Sequence, residues 1–491
     1  MLKSVENVRV VETRPLRLEV RLHNRSHVAA AFGDEACEIV RSGMLAAISR
    51  FLASDVTRQA RVALAPTAGG RASVRSINGD LIAIDVEASS SETDVSLLVE
   101  GLSRTLAVEP IIWGTARIHV APSVRIAWRG PNASMDDAME AGLVPVASEA
   151  PFAGEPVLGA PGWCDLYQRD MAVAAQLFED LTAGRLRLAF QPICMAGRFG
   201  SVLYQECLLR GADGSESRRS PADVIAALER LGLTRAMDNH VARMALVELR
   251  GNADLRLGVN ISAQSTIVDG WWAAVRTELE AAPQLAERLT IEITETATLP
   301  SLAAAVGFVA WMKSVGCNVA LDDFGAGRDA IRNLYALTPD IVKVDAFFLH
   351  QARGSKKALD AFKSLVSLSR AIGGAVVVEG VETSQDSRIA VEAGAPWQQG
   401  RFFGGPRPAA IAQGRDSGVP ERRPTFGRRP NAPNLHIVKM DNEADAFAGG
   451  AATLPQQAYF NLRSLRWAAP LSAALWGLIG WAVWLSWKGL S

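Results

Sequence analysis

The chain has 491 residues and a formal net charge of −1, from 51 Lys and Arg against 52 Asp and Glu, which leaves no bulk electrostatic attraction to duplex nucleic acid. Its five cysteines form no CxxC pair, which excludes a disulfide framework or zinc knuckle and suits a reducing cytosol. Only six histidines are scattered along it, so any metal is expected on oxygen ligands, as Mg²⁺ or Mn²⁺ are held.

That length accommodates two or three domains. The first residues (Met1-Leu-Lys-Ser-Val-Glu) lack an apolar core, so no signal peptide is expected. Within residues 1–148, Leu16 to Leu22 alternates apolar and polar as a half-buried strand does. A helix is expected from Asp34 to Leu52, two strands around Arg75 to Val86, a helix from Val95 to Leu106, and a strand pair over Arg117 to Trp128 broken at Pro122. Mixed elements in this order suggest a compact α/β domain.

Residues 149–164 are rich in Pro and Gly and read as a linker. Over residues 165–412 strands and helices alternate. Strand candidates are Leu186–Ile193, Ser201–Leu209, Leu255–Ile261, Leu289–Thr294, Asn318–Asp323, Ile341–Asp345, Ala375–Glu379 and a short one near Trp397. Ser220-Pro221 opens one intervening helix and Gly232 closes it. Strands and helices in this number over about 240 residues suit a (β/α)₈ TIM-like barrel. Residues 413–462 are Arg-, Pro- and Gly-rich and read as a disordered basic tether. Residues 467–487 carry no charge and have Trp at both ends, after Arg463 and Arg466. About 20 such residues span a bilayer, so a C-terminal transmembrane helix is expected, with the preceding protein in the cytoplasm.

Barrels of this kind put their chemistry at the C-terminal ends of the strands. There the chain places Gln205-Glu206, Asn260, Glu292 with Glu295, Asp322-Asp323, Lys343 with Asp345, Glu379 with Glu382, and Gln399. Adjacent Asp322 and Asp323 would point to opposite faces of a regular strand; both reach one site only where the strand ends, which Gly325 and Gly327 favour. Buried neighbouring carboxylates repel one another and call for a cation; an exposed acidic turn is the alternative reading of this pair.

These blocks carry a resemblance. Phe190-Gln191-Pro192-Ile193, Glu206-Cys207-Leu208, Val259-Asn260-Ile261-Ser262, Glu292-Ile293-Thr294-Glu295, Asp322-Asp323-Phe324-Gly325, Lys343-Val344-Asp345 and Glu379-Gly380-Val381-Glu382 follow in the order of an EAL domain, which this region resembles. The resemblance implies a cyclic di-GMP phosphodiesterase that yields linear pGpG with two Mg²⁺ or Mn²⁺ ions. It implies one ion on Glu206, Asn260, Glu292 and Asp322, and a second on Asp322, Asp323 and Glu379. Glu206, Lys343 and Glu379 would be catalytic, with Lys343 orienting or assisting the attacking water. Gln191, Arg210 and Gln399 would meet the substrate, while Glu295, Asp345 and Glu382 would support the ligands and the loop after Asp323. A homodimer is expected.

The first 148 residues more faintly resemble a GGDEF domain, with Asn78-Gly79-Asp80 at its signature loop but Arg21 and His23 where the family places an aspartate. The reading is a degenerate, non-cyclising domain, with GTP or a regulatory protein as its candidate partner. The barrel departs from its family too: the loop after Asp323 reads Phe-Gly-Ala-Gly-Arg-Asp-Ala, and Arg401 replaces an aromatic after Gln399-Gly400. The expected protein is a single-pass enzyme of the bacterial inner membrane; a non-catalytic cyclic di-GMP receptor there is the alternative.

Overall fold

The computed structural model describes residues 13–54, 73–89, 92–128, 158–198, 200–211, 221–294, 299–327 and 329–408. The expected tether and membrane span lie outside them. Among the described residues, no helix is long and apolar enough to cross a membrane.

The N-terminal part has strands β1 (Thr13–Leu22), β2 (Ser73–Ser76), β3 (Leu81–Ser89), β4 (Ile111–Trp113), β5 (Ala116–Ile118) and β6 (Pro122–Trp128), with helices α1 (Arg25–Phe32), α2 (Asp34–Ala53) and α3 (Glu92–Val108). Strands β2-β3-β1-β6 make one antiparallel sheet. The alternation in β1 works as its sequence suggests: Leu18, Val20 and Leu22 are buried, and Val40, Met44 and Ile48 of α2 join them in the core. The β4–β5 hairpin falls partly before the expected strand pair and pairs Ile111 with Ile118.

The barrel strands are β7 (Leu186–Met195), β8 (Val202–Gly211), β9 (Leu257–Ser262), β10 (Leu289–Thr294), β11 (Asn318–Phe324), β12 (Ile341–Val344), β13 (Ala375–Val378) and β14 (Trp397–Gln398), with β15 (Arg407–Pro408) added outside β7. Between and around them run α4 (Trp163–Thr182), α5 (Pro221–Leu231), α6 (Thr234–Gly251), α7 (Ala273–Ala281), α8 (Pro283–Ala286), α9 (Leu302–Ser314), α10 (Ala330–Leu337), α11 (Ala346–Ala352), α12 (Lys356–Gly373) and α13 (Ser384–Glu392). The eight strands run in sequence order and close through β14 on β7. One departure from strict alternation stands out. β7 and β8 are joined by a tight loop and not by a helix, and β7 runs antiparallel to both of its neighbours in the closed ring. The remaining pairs are parallel, and β12 is buried along its whole length, as a strand covered on both faces must be.

Helix ends follow their local chemistry. Ser301 and Ser355 accept backbone N–H groups at the starts of α9 and α12. Thr383 and Asp386 form a reciprocal capping box on α13. Gly232, at φ +70°, closes α5.

The core is continuous from the N-terminal sheet into the barrel. Asn24, 3% exposed, donates to His119 O (3.1 Å) and to Tyr167 Oη (3.1 Å) of α4, and accepts from Ala121 N (3.0 Å). His27, Trp163 and Tyr167 stack across the same seam. Asn24→Ala strands two buried backbone groups and a buried phenol, and should cost about 2 kcal/mol of unfolding free energy. Urea denaturation reads this, and a loss near zero would mean that the seam does not contribute to stability.

Candidate active site

The site lies at the C-terminal ends of the barrel strands and is built around one buried amine. Lys343 of β12 is fully buried, and its Nζ lies 2.6 Å from Glu292 Oε2, 2.8 Å from Asp322 Oδ1, 2.8 Å from Glu379 Oε1 and 3.5 Å from Glu206 Oε2. Each partner arrives from a different strand. Glu292 stands beside Asn260 in the β9–β10 register, and Gln191 stands opposite Glu206 across β7–β8. Glu379 follows β13 directly, anchored by its N–H on Val344 O (3.1 Å).

Asp322 and Asp323 do reach one site, but not because the strand stops. Asp323 sits at φ +53°, in the left-handed region, and the β11–β12 register shifts between Leu321 and Phe324. This kink inside β11 turns both carboxylates to the same side. Aspartate tolerates the left-handed region better than most residues, which keeps the strain small.

Two oxygen-donor groups result, each with its ligand atoms within 4.8 Å of one another: Glu206, Glu292 and Asp322, and then Asp322, Asp323 and Glu379. Asp322 belongs to both. Asn260 Nδ2 donates to Glu206 Oε1 (2.5 Å) and Gln399 Nε2 to Glu206 Oε2 (2.5 Å), leaving Asn260 Oδ1 buried without a hydrogen-bond partner. Glu292 Oε1 is likewise buried and unpartnered. Five carboxylates, four of them paired with the Lys343 ammonium, plus two buried unpartnered oxygens, fit hard divalent cations.

The electrostatics point the same way. Burial, with Glu206 and Asp322 adding to it, outweighs Lys343 and pushes Glu292 up to about 8. Burial and then the Asp322 charge push Asp323 up to about 6. Burial likewise raises Asp322, and raises Glu379 well above the usual carboxylate range. Glu206 moves down: burial works against it, but Lys343 and the two amide hydrogen bonds more than offset that cost. Burial works to lower Lys343, and the surrounding carboxylates overcome it and hold the amine protonated.

The other expected site residues are more dispersed. Gln191 Nε2 donates to Gly404 O (3.3 Å), and Arg210 Nη1 to its neighbour's carbonyl, Leu209 O (2.7 Å). Asp345 caps α11, accepting from Phe347 N (2.6 Å), while its own N–H reaches Phe324 O (3.5 Å) at the end of the strand that carries the aspartate pair. Glu382 is half exposed, 3.8 Å from Arg353. Glu295 and Arg328 fall outside the described residues.

The work expected of Glu382 falls to Asp386. This fully buried carboxylate takes Arg353 in a fork (2.6 and 2.8 Å) and accepts from Glu382 N (3.1 Å) and Thr383 N (2.9 Å), fixing the loop beside Glu379. Its sequence signal was the Thr-x-x-Asp capping spacing. Asp238 and Glu229, which grip the end of β9, carried no comparable signal.

Residues 174–406 match the family model described as EAL domain. An uncharacterised protein, y4lL, of Sinorhizobium fredii is 31% identical over 234 residues, which is 47% of this chain and 28% of that one. The cyclic di-GMP phosphodiesterase NbdA of Pseudomonas aeruginosa is 28% identical over 254 residues, 50% of this chain and 32% of its own. The FimX EAL domain from Pseudomonas aeruginosa, solved bound to c-di-GMP, is 26% identical, covers 48% of this chain and 96% of its own, and superimposes with a TM-score of 0.43. The chain thus spans about a third of the length of these curated relatives.

A carboxyl whose folded pKa is raised gives stability that is whole below its unfolded value and is lost as pH climbs through the folded one. For Glu292 that window runs from the ordinary 4.5 to about 8. In a chelator the thermal midpoint should therefore fall between about pH 5 and about pH 8, and Mg²⁺ should raise it more at the higher pH. Melting curves with and without Mg²⁺ test this, and equal Mg²⁺ effects at both ends would contradict it.

Proposed function

We propose that the barrel is a cyclic di-GMP phosphodiesterase that opens the ring to linear pGpG. The observation that carries this reading is the pair of oxygen-donor groups sharing Asp322, gathered from separate strands around Lys343. Glu206, Asn260, Glu292 and Asp322 would hold one divalent ion, and Asp322, Asp323 and Glu379 the other. Mg²⁺ or Mn²⁺ bound there supplies a lowered pKa for water and positive charge for the phosphodiester.

The chain's own residues do the rest. Lys343, kept protonated by the acids around it, donates hydrogen bonds towards the attacking water and holds those acids in register. Gln399 and Asn260 keep Glu206 ionised and aimed by donating to its two oxygens. Arg210 would meet a phosphate of the substrate, for which its planar fork is suited. Water adds to phosphorus, the bond to one ribose 3′ oxygen breaks, and that oxygen takes a proton, leaving a 5′-phosphorylated dinucleotide.

The remaining parts belong to the same reading. The N-terminal unit is a degenerate GGDEF-like domain: His23 is bonded to Ser123 (2.7 Å), and Asn78 Oδ1 closes the turn after β2 by accepting from Asp80 N and Leu81 N. Neither offers a nucleotide triphosphate an acidic metal ligand, so a regulatory partner suits this unit better than GTP. Ile331 and Tyr335, one turn apart on α10 and more than half exposed, support a homodimer. Residues 467–487 anchor the chain in the bacterial inner membrane, with the barrel in the cytoplasm.

The full chain with cyclic di-GMP and Mn²⁺ should release pGpG, resolved by chromatography. Glu206→Ala should lower kcat at least about a hundredfold. Binding of cyclic di-GMP without any pGpG would replace the enzyme by a receptor. Removing residues 463–491 should move the protein from the membrane to the soluble fraction with hydrolysis intact, and its retention in membranes would refute the anchor.

A further inference from the structure

Helix α3 of the N-terminal unit lies against the barrel's outer helices, and one carboxylate is buried in that joint. Glu100 is 2% exposed. It accepts from Ala274 N in the first turn of α7, from Arg243 Nη1 (3.2 Å) and from Asn239 Nδ2 (3.5 Å) of α6. An acid at the start of α7 satisfies an otherwise orphaned N–H and complements the helix dipole. The approach is close: a Cβ on Gly270, in the turn Gly270–Trp272 before α7, would fall 2.2 Å from Val99 of α3. The same Asn239 amide donates to Trp271 O (2.6 Å), tying α6 to that turn.

The preceding residue of α6 faces the barrel strands instead. Asp238 accepts from Ser262 N (2.9 Å) and Ser265 Oγ (2.6 Å), and Glu229 of α5 takes Ser262 Oγ (2.8 Å). Ser262 ends β9, two residues after Asn260, whose Oδ1 is the unpartnered oxygen of the site. Adjacent residues of one helix therefore hold the N-terminal unit on one side and the end of β9 on the other.

We propose that Glu100 is a positioning residue for Asn260: the N-terminal unit braces α6 and α7, and through Asp238 and Ser262 that brace sets the metal-facing amide of the barrel. The inference rests on the reading of the site as a divalent-metal centre, and it gives the N-terminal unit a task that requires no nucleotide of its own. Loss of the Glu100 carboxylate leaves the Ala274 N–H without its acceptor, removes the Arg243 ion pair and leaves the Asn239 amide only Trp271 O, so α6 gains freedom to shift and Asn260 with it.

The test uses the full chain, titrated with Mn²⁺ alone by calorimetry, alongside kcat and KM for cyclic di-GMP and a thermal melt. Glu100→Ala should weaken Mn²⁺ binding about tenfold and lower kcat more than it raises KM. Glu100→Gln keeps an acceptor of the same shape, so it should fold and recover most of that affinity. It also carries the comparison if the alanine variant fails to fold, with a residual weakening of about twofold to threefold expected from the lost charge. Variants that melt earlier yet bind Mn²⁺ as the wild type does would show a purely structural role and overturn the proposal. A wild-type chain that binds no Mn²⁺ would instead bring down the reading of the site, and this inference with it.

Discussion

Everything at the barrel mouth depends on an imbalance of charge. Five carboxylates converge on a volume where the buried Lys343 ammonium pairs with four of them, within 3.5 Å of each. Like charges drawn out of water repel strongly, and the described structure relieves this by raising the proton affinity of Glu292, Asp323 and Glu379. Such an arrangement persists only where the scaffold is stiff enough to refuse relaxation. A closed ring of strands with apolar residues on both faces is that scaffold, since no strand can withdraw its acid without breaking two ladders of hydrogen bonds.

The parts of this site legible in the sequence were those in which position along a strand decides the outcome. Glu206, Asn260, Glu292, Asp322, Lys343 and Glu379 each stand at or near the end of an apolar run, so a barrel reading places them on one rim. Backbone detail was less legible. The aspartate pair was expected to converge through termination of the strand at its glycines, whereas Asp323 itself turns left-handed and Phe324 rejoins the sheet. The antiparallel start of the barrel was hidden for a related reason: strand periodicity is the same in either direction, and only the short β7–β8 loop distinguishes them.

What could not be read were contacts between groups distant in the chain. Glu100 meets Asn239 and Ala274 across 139 and 174 residues, and no local pattern marks a helix residue that is destined for a buried joint. Asp386 was overlooked because its capping role is local while its effect is not: the same carboxylate that starts α13 also fixes the loop beside Glu379. Spacing reveals which residues share a face, but it does not reveal which faces will meet.

The meeting of faces also explains how deep the site lies. A Cβ on Gly258 of β9 would fall 2.0 Å from Glu292 Oε1 and 2.4 Å from the Tyr204 ring. Glu292 therefore reaches inward only because its neighbouring strand carries no side chain at that level, and the Tyr204 ring packs against the same position. Tyr204 is 2% exposed and Glu292 and Lys343 are fully buried, so the dielectric around these groups is low and the attraction of the carboxylates for a cation is high. The identity of the acids is half of the site's chemistry; the other half is the set of small and aromatic residues that exclude solvent from them.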